Sequence, residues 1–280
     1  MPRLASSRHP AGSDRSTTTS TRAIAWAEGR VLPAAEATVP LTDDGFLRGD
    51  AVFDAMLVRD GRSHARHEHL ARLQRSGDAM EIAIPDLDPV INDLLAAWGQ
   101  GDGVLRLVVT RAGTVRGLLT ALAIPPAQTL AIVDLPWGGA LTGVKTLSYA
   151  TNQWATRQAL ARGADDALIV TDGVVHELPT GAICWVDDGR LFAPDHDQLR
   201  ILDSVTLAEL REIVEVTATV GTVDDLRHVD EVFVLSAGRP VVAVDRILVD
   251  DEELTYPAPG PVTTQIQQAF AAYITDTLDR

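Results

Sequence analysis

Residues 143–180 read GVKTLSYATNQWATRQALARGADDALIVTDGVVHELPT and combine a lysine with a compact helix-strand-strand pattern. The pattern predicts a helix from about Ala150 to Arg162, then the strand ALIV, a turn at Asp172-Gly173 and the strand VVHEL. Lys145 stands just before the helix in a chain whose positive charge is mostly arginine, and no nearby carboxylate offers it an ion pair. A lysine in such a place is most often a solvated chain end.

The chain after this segment is predicted to continue as hairpin, helix, strands and helix. The stretch ICWVDDGRLF indicates a hairpin that turns at Asp188-Gly189, because Asp-Gly supplies the positive φ of a tight turn. A helix is expected to begin near Ser204. The strand-rich stretch EVFVLSAGRPVVAVDRI follows, and PVTTQIQQAFAAYITDTL has the apolar spacing of a closing amphipathic helix.

The chain before the segment shows the same kinds of element. Hairpins are predicted in AIAWAEGRVL, turning at Glu28-Gly29, and in AVFDAMLVRDGRSHA, turning at Asp60-Gly61. A helix bearing Leu70, Leu73 and Met80, the helix INDLLAAWG and the strand GVLRLVVTRAG follow. The next stretch, LLTALAIPPAQTLAIVDLPW, reads as two strands interrupted by paired prolines, which cannot continue a sheet.

These elements predict an α+β chain of two domains. Hairpins outnumber regular strand-helix-strand alternation, so a Rossmann-type sheet is disfavoured. The predicted division is a disordered tail over 1–22, a small N-terminal domain over 23–124, a linker over 125–128 and a large domain over 129–280. The tail is rich in Ser, Thr and Arg and cannot bury enough apolar surface to order itself.

Composition limits the classes of partner. The 280 residues are 46% hydrophobic, enough for a buried core, and the formal net charge is −15. Without a long basic block, nucleic-acid binding is not expected, and no apolar run reaches the roughly 18–20 residues of a membrane span. The single cysteine, Cys184, excludes an intrachain disulfide, and no Cys/His cluster has zinc spacing, so no metal site and a cytoplasmic location are expected.

Each candidate functional residue has an ordinary structural explanation when taken alone. Glu177 can be an exposed charge at a strand edge. Arg72 can form a surface ion pair with Glu68, four residues earlier on a helix. Asp203 or Ser204 can simply cap a helix.

Taken together, these residues indicate one type of site. An amine that can form a Schiff base, an acid that can face a pyridinium nitrogen, an arginine and a helix N-terminus are the parts that a pyridoxal phosphate site needs. A helix start rich in Ser and Thr also suits the phosphate dianion. The combination therefore favours a cofactor site more than any single residue does.

The chain resembles the class IV aminotransferases. These are the fold-type IV pyridoxal phosphate enzymes, which include branched-chain and D-amino-acid transaminases and 4-amino-4-deoxychorismate lyase. The resemblance rests on residues 143–180 and on LTDDGFLRGDAVFDA at 41–55, HLARLQRSGDAM at 69–80 and RILDSVTLAEL at 200–210. It implies a small α/β N-terminal domain and a larger C-terminal domain built on a barrel-like sheet with flanking helices, and a homodimer in which each cleft is completed by a loop from the neighbour.

The resemblance also implies residue roles. Lys145 matches the lysine that forms the Schiff base and then moves a proton between the substrate α-carbon and C4′ of the cofactor; burial would lower its pKa and so favour the neutral amine. Glu177 matches the acid paired with the pyridine nitrogen, and Arg72 the arginine that binds the phosphate. Val205 and Thr206 match the helix-start pair that donates to the same phosphate.

Three further positions are implied less directly. Tyr149 matches a position near the phenolic oxygen of the cofactor. Many members have a phosphate-binding threonine where this chain reads LSAGRP, so Ser236 or the amide of Ala237 must serve there. The connection before Lys145 is shorter than in many relatives, which implies an altered mouth of the cleft.

The stretch LRLVVTRAGTVRGLL bears on the reaction. Arg116 matches an arginine that reaches a substrate carboxylate, in the transaminases from the partner subunit, although a loop arginine can also be merely exposed. The D-amino-acid enzymes have a histidine two residues later, where this chain has Leu118. A transaminase of the D-amino-acid type is favoured, because removal of an α-proton is the least chemistry that such a site supports.

Other functions stay open at this point. One is 4-amino-4-deoxychorismate lyase, which releases pyruvate and 4-aminobenzoate, and another is a branched-chain or (R)-amine transaminase. A non-catalytic scaffold is disfavoured, because drift would be expected to lose at least one of Lys145, Glu177 and Arg72.

Overall fold

The computed structural model describes residues 22–278, so the predicted tail lies outside the described residues except for Arg22. In that part of the chain the strands are β1 (Ala23–Ala27), β2 (Arg30–Pro33), β3 (Ala51–Arg59), β4 (Arg62–Ser63), β5 (Gly103–Thr110), β6 (Val115–Ala121), β7 (Ala127–Asp134), β8 (Asp166–Thr171), β9 (Val174–Val175), β10 (Ala182–Asp187), β11 (Arg190–Pro194), β12 (Val216–Thr219), β13 (Glu231–Ser236), β14 (Arg239–Val249) and β15 (Glu252–Thr255). The helices are α1 (Asp44–Arg48), α2 (Arg66–Ala79), α3 (Asp88–Trp98), α4 (Ala150–Ala161), α5 (His196–Leu199), α6 (Val205–Ile213) and α7 (Pro261–Thr277), with short 3-10 helices at Ala34–Glu36 and Asp225–Arg227.

The first sheet is antiparallel and has the strand order β2-β1-β6-β5-β3-β4. Its two predicted hairpins are confirmed, and both turns begin with a left-handed residue, Glu28 at φ 53° and Asp60 at φ 49°. Helix α3 buries Ile91, Leu94 and Trp98 in the core of this sheet, as its apolar spacing predicts.

The second sheet is mixed, with the order β12-β11-β10-β13-β14-β7-β8-β9, and β15 pairs with β14. Strand β7 runs parallel to both β14 and β8, and β11 runs parallel to β12, whereas the other pairs are antiparallel. The α+β prediction is therefore confirmed. The predicted strand VVHEL is shorter than expected, since β9 ends at Val175 and the chain turns between Leu178 and Gly181.

Backbone pairing attaches the segment around Lys145 to the first sheet. Thr146 forms an antiparallel bridge with Val52 of β3, and the amide of Phe53 donates to the carbonyl of Lys145 at 3.0 Å. Leu57, on the same strand, packs into the core formed by α6, α7 and the second sheet. Strand β7 begins at Ala127, inside the stretch predicted as a linker, and the division into domains stays a prediction.

Two further observations concern the single cysteine and the possibility of a membrane-spanning helix. Cys184 is a free, fully buried thiol, and burial raises its pKa. No helix within residues 22–278 is long and apolar enough to cross a bilayer.

The N-terminus of α7 provides a test of the packing. The buried carboxylate of Glu231 accepts from the amides of Val262 at 2.9 Å and Thr263 at 2.8 Å, and so caps this helix. A Cβ on Gly260 would lie 2.2 Å from Cδ of Glu231. We expect Gly260→Ala to displace the carboxylate and lower the free energy of unfolding by about 2–4 kcal/mol, measured by urea denaturation.

The matched control for this substitution is Gly138→Ala. At Gly138 an added Cβ would meet no atom within 4 Å. A loss in Gly260→Ala no larger than that in Gly138→Ala would contradict the role assigned to the cap.

Candidate active site

A cavity of about 770 Å³ opens where the two sheets meet, and it is called the cleft below. Its walls come from β3, β5, α2, the segment that leads into α4, the turn after β9, the start of α6 and the β13–β14 turn. The side chains on which the following points depend are Phe53, Arg72, Arg106, Lys145, Glu177 and Thr206.

The backbone of Lys145 is held on both sides. Its amide donates to Oγ of Ser76 at 3.2 Å, and its carbonyl accepts from the amide of Phe53. Ser76 lies one helical turn after Arg72 on the buried face of α2, so one helix contacts the lysine segment and also presents the arginine. The amine Nζ lies 4.7 Å from the ring centroid of Phe53. The side chain is half-buried in the cleft, so Lys145 is not a solvated chain end.

The environment moves the pKa of Lys145 toward neutrality. Burial lowers it from 10.5 to about 8, and the positive charge of Arg72 adds to this effect, while Asp54 and Glu177 oppose it. A lysine amine with such a pKa is partly deprotonated near pH 8, as a nucleophile or base requires.

Glu177 shows the complementary shift. Burial raises its pKa from 4.5 to about 7, against the opposing effects of the Leu202 amide, Lys145 and Arg72. One of its oxygens, Oε2, accepts from the amide of Leu202 at 3.4 Å. The explanation of Glu177 as an exposed edge charge is wrong, because the residue is partly buried and lines the cleft.

Arg72 is buried, and its ion-pair partner differs from the one suggested by helix spacing. Its Nε and Nη2 donate to the two carboxylate oxygens of Asp54 at 2.8 and 2.7 Å, and Nη1 donates to the carbonyl of Asp203 at 3.1 Å. The proposed surface pair with Glu68 is therefore wrong. Asp54 comes from β3, and sequence spacing along α2 gives no sign of that strand.

The start of α6 faces the cleft through Thr206. Ser204 caps the helix by accepting from the amide of Leu207 at 3.2 Å, as expected, whereas Asp203 pairs with Arg75 at 3.1 Å. The side chain of Val205 lines a separate cavity of about 430 Å³ between α2, α6 and α7. Val205 is not among the residues that line the cleft.

The three less direct positions also lie at the cleft. Tyr149 precedes α4, its hydroxyl donates to the carbonyl of Pro179, and burial raises its pKa, so the phenol stays neutral. Ser236 and Ala237 line the cleft at the β13–β14 turn.

Arg116 lies outside the cleft of its own chain. It donates through Nε to the carbonyl of Thr38 at 2.8 Å and lies 3.5 Å from a carboxylate oxygen of Glu28. An arginine that the sequence interpretation missed, Arg106 of β5, lines the cleft instead, with its guanidinium carbon 5.2 Å from the Phe53 ring centroid. The signal for Arg106 was a single charge inside the apolar strand GVLRLVVT.

Within residues 22–278, one group of side chains, Asp195, His196 and Asp197, has the chemistry of metal ligands. Asp195 already accepts from the amides of Asp197 and Gln198 as the N-cap of α5. A helix cap accounts for this group, so it does not indicate a metal ion.

Comparisons with known proteins agree on one family. The family model for amino-transferase class IV matches residues 51–247. The D-alanine aminotransferase of Bacillus licheniformis is 26% identical over 272 residues, which cover 86% of this chain and 94% of that protein. A bifunctional aminodeoxychorismate lyase / D-amino acid transaminase of Mycobacterium tuberculosis is 30% identical over 191 residues, which cover 58% of this chain and 65% of that protein.

Solved structures share the fold. The PLP-bound form of a hypothetical aminotransferase from Mycobacterium tuberculosis matches with a TM-score of 0.80 at 25% identity, over 92% of this chain and 100% of that one. The fold-type IV architecture is therefore confirmed. The chain belongs to the class IV aminotransferases, pyridoxal-phosphate-dependent enzymes that act on amino acids and 2-oxo acids.

Proposed function

We propose that this enzyme moves an amino group from a D-amino acid to a 2-oxo acid. Two features support the proposal: the Lys145 amine with a pKa of about 8, and the Arg106 guanidinium in the same cleft. The similarity to a D-alanine aminotransferase supports the D configuration of the donor. Arg106 is the reason for proposing this substrate class, because its guanidinium can pair with the carboxylate of an amino acid or a 2-oxo acid.

The donors of the cleft fit pyridoxal phosphate. Arg72 and the N-terminus of α6, with the Thr206 hydroxyl and the Val205 amide, suit the phosphate dianion. The Lys145 amine would bond covalently to the aldehyde carbon of the cofactor. The carboxylate of Glu177 would pair with the protonated pyridine nitrogen. When bound, the cofactor supplies an electron sink for the pair released at the substrate α-carbon.

Three other residues complete the proposed set of cofactor contacts. The neutral phenol of Tyr149 would donate to the phenolic oxygen of the cofactor. At the β13–β14 turn, the Ser236 hydroxyl and the Ala237 amide would replace the phosphate-binding threonine of relatives. Their weaker anchoring increases the share of phosphate binding that falls to Arg72 and α6.

Lys145 performs the proton transfer in this proposal. Its neutral amine takes the α-proton of the substrate, and the resulting ammonium can return that proton. The hydrogen bonds that fix its backbone to Ser76 and Phe53 keep the swing of the side chain within the cleft.

Arg106 is the proposed contact for the substrate carboxylate. Among residues 22–278 it forms no ion pair and no hydrogen bond, and its guanidinium carbon lies 5.2 Å from the centroid of the Phe53 ring. An arginine without a carboxylate of its own in a binding cleft suits a ligand that brings one. This favours an amino acid over a simple amine and disfavours (R)-amine transamination.

We expect Arg106→Gln to raise KM for both D-alanine and 2-oxoglutarate by about 10- to 100-fold, the loss of one charge-assisted contact. The turnover number kcat should change less than KM, because the contact is present throughout the reaction. Steady-state kinetics with each substrate varied in turn provide the measurement.

Arg190→Gln is the matched control. Arg190 also lies against an aromatic ring, 5.4 Å from the centroid of Phe192, but it is on β11 away from the cleft. Equal KM changes in the two variants, or an unchanged KM in Arg106→Gln, would remove Arg106 from the substrate site.

We also propose a homodimer. The segment 37–48 exposes four large apolar side chains, Val39, Leu41, Phe46 and Leu47, at 47 to 73% of their area. Thr38 in this segment accepts a hydrogen bond from Arg116, so a second copy that covered the patch would also lie beside Arg116. Sedimentation equilibrium should give twice the chain mass; a monomer at micromolar concentration would contradict the proposal.

One reaction mixture tests the function. Enzyme with D-alanine and 2-oxoglutarate should form pyruvate and glutamate in equal amounts, with L-alanine and (R)-amines far slower. No product from any amino donor would refute transamination.

The second candidate is 4-amino-4-deoxychorismate lyase, favoured by the bifunctional relative from Mycobacterium tuberculosis. A parallel assay with 4-amino-4-deoxychorismate separates the two, since only the lyase releases 4-aminobenzoate. Branched-chain donors in the same panel test the third alternative.

A further inference from the structure

A buried aspartate, Asp54, lies on the side of the Arg72 guanidinium that carries Nε and Nη2. Its side chain is fully buried in β3, and it accepts from Arg72 through both oxygens. His69 Nδ1 lies 2.8 Å from Oδ1 of the same carboxylate. Burial by itself raises the pKa of Asp54, but the charges of Arg72 and His69 outweigh it and hold the pKa well below its usual range.

The tautomer of His69 follows from this geometry. Because an ionised carboxylate can only accept, we assign a proton to Nδ1 of His69. The 3.3 Å contact between that nitrogen and Nη2 of Arg72 then joins two donors and is no hydrogen bond. Asp54 is therefore the acceptor that holds both side chains in place.

This arrangement determines which N–H bonds of Arg72 remain available. A guanidinium carries five N–H bonds. Nε and Nη2 each donate one to Asp54, and Nη1 donates one to the carbonyl of Asp203, just before the start of α6. One N–H on Nη1 and one on Nη2 are left, on adjacent nitrogens, next to the helix N-terminus.

We propose that Asp54, supported by His69, is a positioning residue that directs these two N–H bonds of Arg72 to the phosphate group of the cofactor. The inference rests on the proposed site for pyridoxal phosphate. Asp54 itself touches no ligand. Without its carboxylate the guanidinium can rotate about Nε, and the buried positive charge loses its fixed partner. Recognition of the phosphate group should then weaken more than recognition of the pyridoxal ring.

The test compares two probes, pyridoxal 5′-phosphate and pyridoxal, which differ only in the phosphate. Full-length apoenzyme is titrated with each, and binding is followed by tryptophan fluorescence. We expect Asp54→Asn to lower the affinity for the phosphorylated probe by about 10- to 100-fold and that for pyridoxal by less than about 3-fold. His69→Gln should give an intermediate loss, because the second support of the carboxylate is weakened.

A double-mutant cycle tests whether Asp54 acts through Arg72. Arg72→Lys removes the fork, so Asp54→Asn should have little further effect on phosphate affinity in that background. Additive losses in the double variant would overturn the proposal. So would equal losses for the two probes in Asp54→Asn.

Glu209→Gln is the matched control for folding. Glu209 is also a buried carboxylate, paired with His64 at 2.8 Å on α6, and it does not line the cleft. Glu209→Gln should lower the stability of the fold but leave the ratio of the affinities for pyridoxal 5′-phosphate and pyridoxal unchanged. If Asp54→Asn fails to fold, the ratio measured in His69→Gln decides: a value equal to wild type overturns the proposal. Failure of wild type to transaminate would count against the proposed function and would leave the affinity ratios meaningful.

Discussion

Lys145→Ala is expected to lower turnover by about 10⁴- to 10⁶-fold, because one side chain supplies both the covalent attachment and the proton transfer. The measurement is steady-state production of pyruvate from D-alanine and 2-oxoglutarate. The visible absorbance of the bound cofactor should shift toward that of the free aldehyde. Binding itself should persist in weakened form, since Arg72, α6 and Glu177 are unchanged.

The composition makes this test unusually clean. Lys145 is the only lysine among the 280 residues. Borohydride reduction of the holoenzyme should therefore attach one cofactor to one tryptic peptide, the one that contains Lys145. In Lys145→Ala no lysine remains to take its place, and only the chain's terminal amine could react.

Lys145→Arg is the matched variant, because it keeps the charge and removes the nucleophile. It should be as inactive as Lys145→Ala. The smaller side chain of alanine leaves room for a free amine, so added methylamine should restore part of the activity of Lys145→Ala and none of that of Lys145→Arg. Undiminished turnover in either variant would rule out Lys145 as the reacting amine.

Local patterns in the sequence predict the elements around Lys145 and Glu177, whereas the place of both residues in a cofactor site is predicted only by the combination of residues and by the family resemblance. Each follows or precedes a well-marked element: Lys145 stands before α4, and Glu177 follows the Asp172-Gly173 turn. Turn chemistry and helix periodicity act over a few residues, so they can be recognised without knowledge of the tertiary fold. The fold class was predictable for the same reason.

Arg72 shows where local reasoning ends. Its position on α2 was predictable, but the partner suggested by helix spacing, Glu68, is the wrong one. The contact with Asp54 joins a helix to a strand, and nothing in the spacing of residues 54 and 72 specifies that they meet. Ion pairs between elements depend on how the elements pack, which a single sequence leaves open.

The sequence nevertheless contains a usable signal for the residues that were missed. Asp54 interrupts the run AVFDAMLV, in which seven of the first eight residues of β3 are buried, and Arg106 interrupts an apolar strand of the same sheet. A charge inside an apolar strand must find a partner or an opening. Asp54 pairs with Arg72, and Arg106 lines the cleft.

Glu177→Gln should lower turnover with D-alanine by about 10²- to 10³-fold, the loss of one preorganised charge at the reacting centre. Glutamine keeps the size and can still accept from the Leu202 amide, but it carries no negative charge to hold a protonated ring nitrogen. Single-turnover kinetics should show the loss in the proton-transfer step, with cofactor affinity changed much less. A loss confined to cofactor affinity would contradict the role proposed for the carboxylate.

The same substitution should stabilise the apoenzyme, and the pH dependence fixes the sign. The pKa of Glu177 rises from 4.5 to about 7 on folding, so between these pH values the folded chain holds a proton that the unfolded chain releases. Wild-type stability therefore falls across this window, because the carboxyl group ionises in the unfolded chain while it stays protonated in the folded one. Urea unfolding should show no difference between wild type and Glu177→Gln below pH 4.5 and a growing advantage for the variant toward pH 7.

Bound cofactor should reverse that order, because the carboxylate then has a cationic partner and wild type gains more from binding than the variant. A variant that is less stable than wild type in both states would mean that the Glu177 charge stabilises the fold. A reversal on loading would identify a group that destabilises the empty protein and is retained for its electrostatic interaction with the ligand.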